Sequence, residues 1–144
     1  MSANDKAVIR RMIEEGVNKH NLSVIAELYP NCNYRSPAFG ELKGEAFLQF
    51  FRSVLAAFPD VHITVLDQFG EDDKVVTRYR MTATHRGTFM DIAATGKQVD
   101  FTGMLIDRVI NGKIVEEWEE WDTLGMMQQL GVVPVAKVKA SVAA

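Results

Sequence analysis

A chain of 144 residues with 47% hydrophobic residues and a formal net charge of −3 is expected to form one compact domain with a sizeable core. Its 16 Lys and Arg are scattered among 19 Asp and Glu with no basic stripe, which argues against nucleic acid as a partner. No apolar run approaches the roughly 20 residues of a bilayer span, so no membrane role is expected.

The N-terminus "MSANDKAVIRR" lacks a signal-like apolar region and Cys32 is the single cysteine, a pattern that fits a cytoplasmic protein without an internal disulfide. His20, His62 and His85 lie too far apart in sequence for a zinc-type ligand set, and no metal or other cofactor is expected.

Helical period dominates the first 58 residues. Ser2 to Asp5 has the form of a capping box, and Ile9, Met12, Ile13, Gly16 and Val17 continue an apolar stripe, which predicts a first helix to about His20. "NLSVIAELY" predicts a short second helix, capped by Asn21 or Ser23 and ended by Pro30. "EAFLQFFRSVLAAF" puts Phe47, Phe50, Phe51, Val54, Leu55 and Phe58 on one broad face, as suits a helix packed deeply on a sheet. After Pro59 the period becomes two, and "VHITVLDQF", "KVVTRYRMTATH", "KQVDFTGMLIDRVI" and "KIVEEWEEW" read as long strands. "GEDD" joins the first two, and Asn111-Gly112 marks a tight hairpin between the last two. "RGTFMDIAATG" is a longer connection with a short strand or bulge around Thr88 to Met90 and a mobile tip at Ala93 to Gly96. A last helix spans Thr123 to about Leu130, with Asp122 as its cap and Gly131 as its stop. Residues 1–133 are read as the single domain and 134–144 as a loosely attached tail.

Helices followed by a run of antiparallel strands imply an α+β domain, its helices packed against one face of a strongly curved, mainly antiparallel sheet. Such a sheet closes like a cone over the helices and leaves a pocket at its open end. Within the last strand, alternation puts Val115, Glu117, Glu119 and Trp121 on one face and Ile114, Glu116, Trp118 and Glu120 on the other. Each face has one Trp, so alternation alone does not say which is inward.

The order of elements, with "THRGTF", "ATGK", "FTGMLIDR" and above all "GKIVEEWEEWDTLGMMQQLG", resembles the SnoaL-like polyketide cyclase family, within the superfamily of nuclear transport factor 2 and ketosteroid isomerase. The resemblance runs over roughly residues 5 to 133. It implies a cone-shaped α+β barrel, usually dimeric, whose apolar pocket performs a cofactor-free intramolecular aldol condensation with one acid as proton donor and acceptor. Anchored on Arg108, Gly112, Lys113 and Ile114, the family acid falls on Glu119 rather than Asp122, and this turns the Glu119 face inward. His85 in "TATHRG" stands where the family has a histidine at the end of a pocket-lining strand, so Glu119 and His85 are the catalytic candidates. Glu117, Trp121, Met81, Phe101, Leu105, Phe39 and Asp122 are the substrate-contacting candidates, with Asp122 also read as a helix cap at the barrel mouth. Leu105 departs from the pattern, because characterised cyclases have a second histidine there.

A carboxyl among apolar groups has its pKa raised and can exchange protons near neutral pH, which is the chemistry the family needs. Three readings follow. One is a cofactor-independent cyclase, aldol-type lyase or isomerase acting on a small apolar or aromatic molecule. The second is a hydrolase with a carboxylate-activated water, and the third a non-catalytic dimer that binds an apolar ligand. Arg78 and Arg80 share a strand face opposite Tyr79 and are expected outside, paired with acids of a neighbouring strand.

Overall fold

The computed structural model describes residues 2–135. Helix α1 (Ser2–Arg11) runs into a π-helical turn at Met12–Val17, so the first helical segment is broken in type and ends before His20. This turn is tightly packed. Gly16 lies against helix α2 (Leu22–Leu28) so closely that a Cβ there would stand 2.3 Å from Cδ1 of Ile25. Asn18 then fastens this end to the sheet, its side chain accepting from the Ile63 N–H at 2.7 Å and donating to the Ile63 carbonyl at 2.9 Å. Of the two cap candidates for α2, Asn21 serves, its side chain accepting from the N–H groups of Ser23 and Val24.

The segment between α2 and helix α3 (Glu45–Ala57) corrects the all-helical reading of the first 58 residues. It forms a hairpin of β1 (Asn33–Ser36) and β2 (Gly40–Lys43), and β1 also runs parallel to the last strand. The remaining strands are β3 (His62–Glu71), β4 (Lys74–Thr84), β5 (Gln98–Ile110) and β6 (Lys113–Trp121), in the order β2-β1-β6-β5-β4-β3. This is a curved, unclosed sheet in which β1 with β6 is the one parallel pair, and helix α4 (Thr123–Gln129) follows β6. Asn111 and Gly112 both take positive φ, as the tight β5–β6 turn demands. Between β4 and β5 the expected short strand reduces to one bridge, Phe89 to Ile92, around Met90 and Asp91 at positive φ.

A β-bulge changes the face assignment on β6. Arg108 pairs with Glu116 but Val109 pairs with Ile114, which leaves Val115 as the extra residue. Ile114, expected on the face of Trp118, is instead fully buried, while Glu117 three positions on is buried as well. The inner face of the sheet thus carries Ile114, Glu117, Glu119 and Trp121 of β6, Val99 to Val109 in alternation on β5, and Val75, Thr77, Tyr79 and Met81 of β4. Phe47, Leu55 and Phe58 pack on it from α3 and its end, with Phe50, Phe51 and Val54 half-buried beside them. Of the tail expected after 133, residues 136–144 lie outside the described residues.

Candidate functional site

The inner face of β6 brings Glu117, Glu119 and Trp121 opposite Asp107, Leu105 and Gly103 of β5. Gly103 matters sterically. A Cβ there would stand 2.4 Å from the Tyr79 hydroxyl, so only glycine lets Tyr79 reach across β5 towards β6. The Tyr79 hydroxyl donates to Oε2 of Glu119 at 2.6 Å, and the Tyr34 hydroxyl, brought in by β1, donates to Oε1 at 2.6 Å. Tyr29, at the end of α2, donates to Oε1 of Glu117 at 2.7 Å. Two glutamates are thereby held by three tyrosines from three separate elements.

These groups border a cavity of about 70 Å³. Its other walls are Met12, Ile13 and Val17, the α3 side chains Phe47, Phe50, Phe51, Val54 and Leu55, and Val61, Ile63, Met81, Leu105 and Trp121. No Lys, Arg or His is among the lining residues, so the carboxyls have no cationic partner there.

Burial with the nearby Glu117 charge outweighs the two tyrosine hydrogen bonds and raises the Glu119 carboxyl to about 7. Glu119 as a whole residue keeps some exposure, but its carboxyl is enclosed. Burial also raises Glu117, against the opposing hydrogen bonds of Asp107 and Tyr29. Tyr34 and Tyr79 are pushed up by burial and by the Glu119 charge, so at neutral pH both act as donors, not bases.

Of the residues singled out in the sequence, Glu117, Glu119, Trp121, Met81 and Leu105 line this cavity. Phe101 stacks on the Trp121 ring at 5.2 Å, and Phe39 meets that ring edge-on at 5.4 Å, so both support the wall rather than form it. The indole N–H of Trp121 is buried and has no partner. Asp122 is exposed, accepts from the Gly125 N–H and caps α4, away from the cavity lining.

His85 is fully buried against Phe58 and does not line the cavity. Its Nδ1 accepts from the Thr95 N–H at 3.2 Å, which ties the strand end to the 86–97 connection and assigns the proton of the neutral ring to Nε2. Arg78 and Arg80 are outside, Arg80 bonding Asp100 of β5 at 2.8 Å.

Four polar residues of this region were not singled out in the sequence: Tyr29, Tyr34, Tyr79 as a ligand of Glu119, and Asp107. Asp107 was within reach, because it continues the inward alternation of Phe101, Gly103 and Leu105. Tyr34 was not, since its strand is brought to Glu119 by pairing with β6, more than 80 residues away.

The model of the SnoaL-like polyketide cyclase family matches residues 7–130. The chain belongs to this family. Among solved structures, the SnoaL-like chain is similar to AclR, a proposed hydroxylase from Streptomyces galilaeus, at 30% identity, with a TM-score of 0.83 over 98% of this chain and 92% of that one. It is also similar to IdmH, a proposed polyketide cyclase from Streptomyces antibioticus, at 30% identity and a TM-score of 0.76 over 89% and 99% of the two chains. A SnoaL-like protein from Jannaschia sp. CCS1, at 21% identity, shares the fold with a TM-score of 0.84 over 92% and 95%. No curated protein matches the chain. No helix among the described residues is long and apolar enough to cross a membrane.

Proposed function

We propose that this SnoaL-like protein is a cofactor-free enzyme that closes a ring in a small aromatic or polyketide-like molecule, with Glu119 as the acid and base. The observation that carries the reading is the Glu119 carboxyl, enclosed by apolar walls and clamped by Tyr34 and Tyr79, a burial that raises it to about 7. A base works best when its pKa lies near the operating pH.

In the forward step the Glu119 carboxylate takes a proton from a carbon between two carbonyl groups. The enolate carbon attacks a second carbonyl of the same molecule, a carbon–carbon bond forms, and the new alkoxide recovers the proton from Glu119. Nothing is lost and nothing is oxidised. Because Leu105 is apolar and His85 is turned into the fold, Glu119 serves both proton transfers alone. Tyr34 and Tyr79 keep the carboxylate oriented. A pocket of about 70 Å³ is smaller than ligand sites usually are, so a multi-ring substrate enters by displacing the half-buried Phe50 and Phe51 of α3.

The test is exchange and ring closure. A linear aromatic β-keto ester that also carries a ketone within ring-closing reach is incubated with the protein in deuterium oxide and followed by NMR and mass spectrometry. The expected result is deuterium uptake at the carbon between the carbonyls faster than without protein and a cyclic product formed without loss or gain of any group, both returned to the protein-free level in Glu119→Gln. Release of the ester's acid and alcohol, together heavier than the substrate by one water, assigns the hydrolase reading instead, and binding without exchange above the protein-free rate assigns the non-catalytic one.

A further inference from the structure

Beside the cavity, Asp107 faces the lining residue Glu117. Asp107 of β5 and Glu117 of β6 are register partners facing inward, 0% and 3% exposed. Among the described residues, neither Asp107 oxygen has a partner from any N–H or hydroxyl group. The group within its hydrogen-bonding reach is the Glu117 carboxyl, and two carboxyls bond each other only when one carries the proton. Glu117 also accepts from the Tyr29 hydroxyl at 2.7 Å, a donor to a charged oxygen that Asp107 lacks. The proton therefore belongs on Asp107 and the charge on Glu117.

We propose that Asp107 and Glu117 form a proton-sharing pair, Asp107 keeping the proton and Glu117 the charge, and that this charge holds Glu119 ready to accept a proton. Asp107 is thus a positioning residue that acts through Glu117. The inference rests on the reading of Glu119 as the working acid.

The surroundings support this assignment. The titratable groups acting on the pair are Tyr29 from α2, Cys32 before β1, Tyr34 of β1, Tyr79 of β4 and Glu119 of β6. Burial and the acids raise Cys32 and all three tyrosines, so none of them adds a charge at neutral pH. The faces that the π-helical turn and α3 turn to the cavity are apolar. Two charges on Asp107 and Glu117 would have a single hydroxyl donor between them in an apolar interior. One shared proton removes that cost and leaves one charge two residues from Glu119, where repulsion favours the protonated form of Glu119.

The experiment follows side-chain carboxyl ¹³C shifts against pH in the wild type, Asp107→Asn and the double variant Asp107→Asn/Glu117→Gln. No substrate is needed, so a failure of this inference is separable from a failure to find turnover. The amide introduced by Asp107→Asn can still donate an N–H to a charged Glu117, and the Glu119 midpoint should stay within a few tenths of a unit of the wild type. The double variant keeps the shapes but removes the charge, and the Glu119 midpoint should fall by about one unit or more. An unchanged midpoint in the double variant overturns the proposal. The wild type provides a second measurement should the double variant not fold. Glu117 should titrate below Glu119 and Asp107 above it, and above the Glu119 midpoint the infrared band of a protonated carboxyl should remain in the wild type and be absent in Asp107→Asn. An Asp107 that loses its proton before Glu119, or a band above the Glu119 midpoint that Asp107→Asn leaves in place, refutes the pairing.

Discussion

Glu119 ties reactivity to stability. An acid whose native pKa is raised holds its proton in the fold to higher pH than in the unfolded chain, so its favourable effect is complete below the unfolded value and is lost as pH rises through the native one. For Glu119 the window runs from the ordinary 4.5 to about 7. Buried as it is, the ionised carboxyl costs on the order of 3 kcal/mol above that window. Glu119→Gln should therefore abolish turnover and yet raise the thermal midpoint at pH 8 by several degrees, with no gain near pH 4; calorimetry at the two pH values decides it. Glu120→Gln, an exposed neighbour on the opposite face, should change neither. The clamp makes a second prediction. Tyr79→Phe removes a hydrogen bond that favours the charged form, so the Glu119 midpoint should move above its wild-type value of about 7 in an NMR titration, and a downward shift would contradict the clamp. At this scale the register of Glu119 was legible from the family resemblance, whereas its tyrosines were not, because each arrives from a different element and their meeting depends on a gap left by Gly103.

Strands β3 to β6 and the helices were readable because each carries its own period, but two devices that aim the site have no local signal. One is the β1–β2 hairpin, whose four-residue strands are too short to show alternation and whose stability comes from β6, remote in sequence. The other is the bulge at Val115. A strand read with unbroken alternation puts Ile114 and Glu119 on opposite faces; the extra residue lets both point inward, so an apolar side chain plugs the closed end of the sheet while acids occupy the pocket. Deleting Val115 would restore unbroken pairing and force either Ile114 or the set Glu117, Glu119 and Trp121 out of the interior. Either outcome strands large apolar or carboxyl groups on the wrong face, so the deletion should cost more than about 4 kcal/mol, an exceptional loss for one residue. Urea unfolding measures this, and a variant with the wild-type midpoint would show that the bulge does not set the faces.

The whole molecule presents a second apolar surface, on the outside of the sheet. Cross-strand registers align Phe69 of β3 with Val76 of β4, Val76 with Ile106 of β5, and Ile106 with Trp118 of β6, an unbroken row across four strands. Phe69 is 59% exposed and Ile106 40%, and Met104, 48% exposed, extends the patch along β5. Trp118 is flanked by the cations of Arg35 and Lys74 over its ring, so the row ends in a polar margin. The inner face is already filled by the helices and the cavity, which means that this row has no further use within one chain. Contiguous exposed apolar area of this kind calls for a partner, and a sheet face covered by its own copy about a two-fold axis is self-complementary. We propose a homodimer through this face. Light scattering at micromolar concentration should give twice the 16.1 kDa chain mass. Ile106→Glu places a charge in the middle of the row, opposite its own symmetry mate or among apolar neighbours, and should yield the single-chain mass while the Glu119 titration on the other side of the sheet stays in place. A wild-type protein that scatters as one chain at that concentration would rule the dimer out.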